Sequence, residues 1–275
     1  MAIDSRTSSR IQSIERAVAI MRCFSEQQPE LGVTEISRCT SLHKSTVSRI
    51  LSTLQKEGFI SQNSNTGKYR LGVGLISLAG VALGRIDVRA AAYDHLDTLV
   101  EQTKEGVSVS VLDGVEAVIV LHKPSPNPVR YVNWIGRRLP LHCTSSGKVL
   151  LAGLAPEPRA AILDRSIQRY TANTVFSRAD LLEELPVISS RGFAIALEEH
   201  ERGTNSIAAP VCNHEGGVVG AISISGPAFR LPEDVLRGHM NPLLATAAHV
   251  SAELGHVPAA SNVWGVNLPE RTRGG

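Results

Sequence analysis

The stretch Lys44-Ser-Thr-Val-Ser-Arg-Ile-Leu-Ser-Thr-Leu54 decides the fold of the first part of the chain. Its apolar residues recur at i, i+3, i+4 and i+7 from Val47, which is the pattern of one face of an amphipathic helix. The opposite face carries serines, Arg49 and Lys56, and no acidic residue precedes Glu57. A solvated helix face usually mixes both signs of charge. A face of hydroxyl and cationic side chains without acidic ones favours a surface that contacts DNA phosphates and base edges. The alternative is a small helical domain with a hydroxyl-rich surface, which would show the same pattern.

The flanking sequence predicts a winged helix-turn-helix over residues 11–72. An apolar pattern after Ser13 predicts a first helix to about Glu26, and Thr34 is expected to cap a short second helix. Gly58 is the residue expected to end the third helix. The runs 59–62 and 68–71, separated by a turn rich in Asn and Gly, are predicted to form a hairpin that acts as a wing.

Charge supports a polyanionic partner for this segment. Residues 1–85 carry 11 Lys and Arg against 6 Asp and Glu, whereas residues 86–275 carry 17 against 20. A basic segment beside a mildly acidic one is typical of a DNA-binding domain with an attached partner domain. The residues predicted to contact double-stranded DNA are Thr34, Lys44, Ser45, Thr46, Ser48, Arg49, Ser52, Lys68, Tyr69 and Arg70.

Composition excludes other classes of protein. No apolar run approaches the roughly 20 residues of a membrane span, and the first ten residues lack the apolar core of a signal peptide. We therefore expect a cytoplasmic protein. The four cysteines, Cys23, Cys39, Cys143 and Cys212, show no metal-ligand spacing, so we expect free, mostly buried thiols.

The remainder of the chain is predicted to be α+β, an antiparallel sheet covered by helices. Asp113-Gly114 joins two β-rich runs as a hairpin turn would, and single long helices are expected over 88–104 and 232–254. Residues 73–88 are predicted to form a linker helix, 89–254 a second domain and 255–275 a flexible tail. One side of the linker helix is apolar and could pair with a second copy of the chain. Self-association is also expected because specificity for DNA usually comes from two half-sites read by a dimer.

The order of motifs resembles the IclR family of bacterial transcription regulators. The matching motifs are Ser13-Ile-Glu-Arg-Ala-Val, Val33-Thr-Glu-Ile, Lys44-Ser-Thr-Val-Ser-Arg-Ile-Leu, Gly58-Phe-Ile, Tyr69-Arg-Leu-Gly, Leu139-Pro-Leu-His-Cys-Thr-Ser-Ser-Gly-Lys, Arg191-Gly-Phe-Ala and Ile207-Ala-Ala-Pro-Val. The resemblance covers about residues 11 to 252. It implies a GAF-like effector domain, a homodimer or dimer of dimers on an operator, and a small organic-acid or aromatic effector from catabolism. Repression and activation are both compatible with the sequence.

The resemblance also implies the position of the effector site. The residues implied are Thr144, Ser145, Ser146, Gly147, Ala196, Glu198, Ser206, Ser223 and Ser225. This chain departs from the family at Ala196-Leu197, where an Asp-Asp or similar polar pair is common, and at Asn205-Ser206, where Arg-Cys is common. Effectors of other members therefore do not transfer to this chain.

An enzyme with an accessory helix-turn-helix is the alternative, and the residues do not favour it. The segment 142–148 lacks the first glycine and the final hydroxyl of a phosphate-binding loop. Cys143 follows His142 directly, so a strand would point the two side chains to opposite faces. Glu198, Glu199 and His200 are adjacent on a predicted strand and cannot all face one metal ion. Lys148 is predicted to lie within a helix, where a surface position and a functional one are equally compatible with the pattern. We therefore expect no catalytic residues, no metal and no cofactor.

Overall fold

Three helices and a hairpin form the first part of the chain. They are α1 (Gln12–Met21), α2 (Val33–Thr40), α3 (Lys44–Lys56), β1 (Ile60–Gln62) and β2 (Tyr69–Leu71). The computed structural model describes residues 11–25, 28–83, 87–164, 167–175 and 177–257. The chain divides into two units, residues 1–85 and 86–275.

The core of the N-terminal unit follows the apolar pattern of α3. Val47 and Leu51 are fully buried in one cluster with Ile20 of α1 and Ile36 of α2. Each such side chain contributes about 1.5–3 kcal/mol by leaving water. Gly58 follows α3 with a φ of 74°, the left-handed conformation expected of a helix-ending residue. β1 and β2 pair antiparallel, so the predicted winged helix-turn-helix is confirmed.

Two local expectations about the first helices are wrong. Helix α1 ends at Met21 rather than near Glu26, because its last turn tightens as the Cys23 N–H donates to the Ile20 carbonyl at 3.2 Å. Glu26 itself lies outside the described residues. Gly32, not Thr34, caps α2, and the Glu35 carboxylate accepts a hydrogen bond from the Gly32 N–H at 2.6 Å.

The expectation of free thiols is wrong for one pair of cysteines. Cys23, just after α1, and Cys39 on α2 are joined by a disulfide, with their Cα atoms 6.3 Å apart. The packing of α1 beside α2 brings the two together, which sequence spacing alone does not reveal. Cys143 and Cys212 are free and buried, as expected.

An apolar helix, α4 (Gly74–Leu83), follows the hairpin where a linker helix was predicted. It contains no charged residue, and Ile76 and Val81 are 70% and 66% exposed. Residues 84–86, the rest of that prediction before α5, lie outside the described residues, as do residues 1–10.

Helices cover a six-stranded sheet in the C-terminal unit. The helices are α5 (Asp87–Ala92), α6 (His95–Thr103), α7 (Ser145–Ala152), α8 (Pro156–Leu163), α9 (Arg178–Arg191), α10 (Glu233–Gly238) and α11 (Met240–Glu253). The strands are β3 (Gly106–Asp113), β4 (Glu116–Lys123), β5 (Arg138–Pro140), β6 (Ala194–Leu197), β7 (Thr204–Cys212) and β8 (Val218–Pro227). The antiparallel order is β5-β4-β3-β8-β7-β6, which confirms the α+β class.

Alternation along the central strands separates the two faces of this sheet. Ser223 of β8 lies opposite Ser108 and Ala208, and these small residues face the layer of α7 and α9. The intervening residues, such as Ile222 and Ile224, are fully buried on the other face, where α6 and α11 pack against the sheet. Small side chains on the α7 face leave room for a cavity.

Both long helices predicted in this unit are interrupted. The segment 88–104 is two helices, because the Tyr93 N–H donates to the carbonyl of Ala90 three residues back and tightens the turn. The segment 232–254 is also two helices, since the ring of Pro242 would clash with the carbonyl of Gly238 in a continuous helix.

Of the predicted tail, residues 258–275 lie outside the described residues. Among the described helices, none is long and apolar enough to span a membrane.

Candidate functional site

The exposed face of α3 carries most of the predicted DNA-contacting residues. Lys44, Ser45, Ser48, Arg49 and Ser52 are exposed, whereas Thr46 is half-buried. Since Val47, Leu51 and Leu54 fill the core, the opposite face is presented without an acidic side chain.

The first turn of α3 is ordered by a histidine. His43 occupies the cap position, and its Nδ1 lies 2.8 Å from the Ser45 Oγ and 3.4 Å from the Ser45 N–H. This contact fixes Ser45 at the helix N-terminus, where free N–H groups and the helix dipole favour a phosphate.

The wing residues have three different environments. Arg70 is exposed and donates to the Ser61 Oγ at 3.1 Å across the hairpin. Lys68 lies 3.6 Å from the Glu35 carboxylate of α2. Tyr69 packs against the core and exchanges two backbone hydrogen bonds with Leu31. Thr34 is exposed in the first turn of α2, two residues after the Gly32 cap.

A cavity of about 40 Å³ lies in the C-terminal unit, at the N-terminus of α7. A water molecule needs roughly 10–15 Å³ measured in this way, so the space corresponds to about three waters. The cavity is lined by Ile119, Tyr131, Asn133, Leu139, Cys143, Thr144, Ser145, Ser146, Ala196, Glu199, His200, Glu201, Thr204, Ser206, Ser223 and Ser225.

Seven of the nine residues implied by the resemblance line this cavity. The Ser145 Oγ donates to the Ser206 Oγ at 2.8 Å, which ties α7 to β7. Thr144 caps α7, since its hydroxyl accepts from the Gly147 N–H at 3.2 Å. Ser223 and Ser225, two positions apart on β8, both line the cavity, because alternate residues of a strand point to the same face.

The other two implied residues, Gly147 and Glu198, lie outside the lining. A Cβ on Gly147 would stand 2.5 Å from the Leu141 Cα, so this glycine permits close backbone packing behind the cavity. Glu198 has a left-handed backbone (φ 52°), and its carboxylate accepts a hydrogen bond from the Gly203 N–H. The carboxylate that lines the cavity belongs to its neighbour, Glu199.

Lys148 is buried, not on the surface. Only 1% of its side chain is exposed, and its ammonium group contacts the Glu199 Oε1 at 2.8 Å and the Glu184 Oε1 at 2.9 Å. Burial raises the pKa of Glu199, while Lys148 opposes that rise. The three side chains join α7, α9 and the segment that follows β6, next to the cavity.

The connection between β4 and β5 contributes residues that sequence reasoning missed. Tyr131 and Asn133 line the cavity, and Arg137 fixes this loop by donating to the Asn133 Oδ1 at 3.1 Å and pairing with Glu201. Burial raises the pKa of the Tyr131 hydroxyl. Loop residues have no periodicity, and the two aromatic residues that precede Arg137, Tyr131 and Trp134, were the one available signal.

The cavity is poorly suited to nucleophilic chemistry. Burial raises the pKa of the Cys143 thiol to about 12, so the reactive thiolate is suppressed. The neighbouring His142 is occupied by the Gln168 carbonyl, 2.9 Å from its Nε2. Within the described residues, no cluster of His, Cys, Asp and Glu side chains could hold a metal ion.

Comparison with known proteins assigns both units. The family model of the IclR helix-turn-helix domain matches residues 13–64, and that of the bacterial transcriptional regulator IclR C-terminal domain matches residues 80–252. The chain belongs to the IclR family. It is a DNA-binding transcription regulator with a C-terminal effector domain, and not an enzyme.

Relatives of the chain match over nearly its whole length. The HTH-type transcriptional regulator XynR of Escherichia coli K12 is 37% identical over 247 residues, which cover 90% of this chain and 98% of XynR. The structure of the regulator RHA06195 from Rhodococcus sp. RHA1 has a TM-score of 0.78 at 31% identity and covers 89% of this chain and 98% of its own.

A second solved structure contains a ligand. An IclR homologue from Microbacterium hydrocarbonoxydans, complexed with 4-hydroxybenzoate, has a TM-score of 0.78 at 25% identity. The match covers 88% of this chain and 98% of that one.

Proposed function

We propose that α3 and the wing read an operator in double-stranded DNA, and that the α7 cavity holds a small organic-acid effector that changes operator affinity. The lining of this cavity is the observation that supports the effector part of the proposal. It combines a helix N-terminus with serine and threonine hydroxyls, which together suit a carboxylate. The 4-hydroxybenzoate complex of the Microbacterium homologue supports an aromatic acid as the second candidate, for which the cavity of about 40 Å³ would have to widen. The genes controlled would be catabolic, and the protein would act in the cytoplasm.

Ser146 is the position that best tests the cavity. It is buried at the first turn of α7, where a leucine would occupy the space of the effector. We expect full-length protein to be stabilised against heat by at least one of acetate, propionate, glycolate, lactate and 4-hydroxybenzoate, and Ser146→Leu by none. Ser190→Leu, at an exposed position of α9, is the matched control. A Ser146→Leu variant that binds as tightly as the parent would place the effector elsewhere.

We further propose that the protein acts as a homodimer or a dimer of dimers. A winged domain reads a short half-site, and two half-sites spaced by about one helical turn provide specificity. The charge-free helix α4 offers an exposed apolar surface for a second copy, with Leu78 and Ala79 exposed on the side predicted for pairing. Light scattering at micromolar concentration should give twice the chain mass or four times that mass, and a monomer would contradict this.

A further inference from the structure

Glu199, a lining residue of the cavity, has a carboxylate oxygen without a hydrogen-bond partner among the described residues. Glu199 is 8% exposed and lines the cavity. Its Oε1 accepts from Lys148, while its Oε2 is buried without a hydrogen-bond partner. A buried carboxylate oxygen without a partner costs free energy, and such groups in native proteins usually have a ligand or water to meet them. We therefore expect the Glu199 Oε2 to accept a hydrogen bond from a ligand in the cavity.

The charges around Glu199 specify what that donor can be. Lys148 is shared by Glu199 and Glu184, and Arg137 is paired with Glu201. Both cations are thus already paired with carboxylates. The described lining residues include no Lys or Arg that could neutralise a second carboxylate beside Glu199. A ligand carboxylate at that position would be repelled, whereas a hydroxyl would donate to Oε2.

Other residues of the lining can donate hydrogen bonds. The hydroxyls of Ser146, Ser223 and Ser225 and the N-terminus of α7 can donate to a carboxylate. A ligand that satisfies both Glu199 and these donors carries a hydroxyl and a carboxylate close together. The volume of about 40 Å³ admits only a compact molecule.

We propose that Glu199 accepts a hydrogen bond from a hydroxyl of the effector, so that the effector is a compact hydroxy acid. This inference rests on the proposed function of the cavity and narrows its ligand. Glu199 thereby acts as a specificity-determining residue that distinguishes a hydroxyl from a methyl group of the same size.

The test uses two matched pairs of probes that differ only in that group: glycolate with propionate, and lactate with isobutyrate. Calorimetry on the full-length protein should show that each hydroxy acid binds about tenfold to a hundredfold more tightly than its methyl counterpart, as expected for a hydrogen bond to a charged group. Glu199→Leu should reduce this ratio to about threefold or less. Glu184→Leu removes the other carboxylate of Lys148 without touching the cavity lining, and the ratio should persist.

A second variant covers the case in which Glu199→Leu fails to fold. The double substitution Lys148→Met with Glu199→Leu replaces the buried pair by apolar groups, which proteins often tolerate, and it should also lose the preference. Equal binding of both members of each pair by the wild type would overturn the role of Glu199 and leave the cavity as a small-acid site. Binding of none of the four probes would overturn the hydroxy-acid inference and the small-acid site together, while operator binding, measured separately, tests the DNA-binding proposal.

Discussion

Gly147 is the position at which a single methyl group should disturb the effector unit most. A Cβ there would stand 2.5 Å from the Leu141 Cα and 2.6 Å from the Leu141 carbonyl oxygen, both backbone atoms that cannot rotate away. Real Cβ contacts essentially never fall below 3.0 Å, so Gly147→Ala must push the start of α7 away from Leu141 by several tenths of an ångström or more. Overpacking of this kind costs about 1–3 kcal/mol.

The expected loss is measurable because Trp134, in the connection between β4 and β5, belongs to the C-terminal unit. At about 2–4 °C for each kcal/mol in a unit of this size, tryptophan fluorescence should show a melting temperature lowered by roughly 2–12 °C. Gly238→Ala is the control, because a Cβ at Gly238 meets no atom within 4 Å. It should leave the melting temperature unchanged or raise it slightly. A Gly147→Ala variant that melts within about 1 °C of the parent would refute the close packing of α7 against Leu141.

Three further predictions concern other parts of the chain. Cys23→Ser, or reduction of the wild type, should lower the stability of the N-terminal unit by about 3 kcal/mol, measured by denaturant titration of circular dichroism; a wild type insensitive to reductant would contradict the disulfide. Burial lowers the pKa of His142 and of His200, so the folded state binds fewer protons than the unfolded state. Stability should therefore be complete above the ordinary histidine pKa and fall as the pH drops through and below it, and the urea midpoint of tryptophan fluorescence should be lower at pH 5.5 than at pH 7.5; an equal midpoint would contradict this. Leu78→Lys, at a 57% exposed position of α4, should shift the mass seen by light scattering towards monomer, and an unchanged mass would remove this face from the interface.

The parts of the fold that follow a regular period could be predicted from sequence. The buried stripe of α3, the left-handed Gly58 and the shared face of Ser223 and Ser225 each follow from one local rule. Interruptions of helices were missed where a single residue overrides the pattern, as Pro242 does between α10 and α11.

Contacts between distant segments were the part that could not be predicted. Lys148 meets Glu184 and Glu199 across 36 and 51 residues of sequence, and no local pattern identifies such partners. Tyr131 and Asn133 reach the cavity from a loop, where conformation depends on tertiary contacts such as the pairing of Arg137 with Glu201. Seven of the residues implied by the resemblance line one cavity, and the structure adds the Glu199 carboxylate to that lining.

The central claim is that the acid-free face of α3 reads the operator. The most direct measurement is a fluorescence-anisotropy titration of the promoter DNA adjacent to the gene with wild type, Arg49→Ala and Arg202→Ala, the last an exposed arginine of the effector unit that loses the same charge. We predict that Arg49→Ala weakens binding by about 1–3 kcal/mol while Arg202→Ala binds as the wild type does. Unchanged affinity in Arg49→Ala, or an equal loss in both variants, would contradict the assignment of this face as the DNA-reading surface.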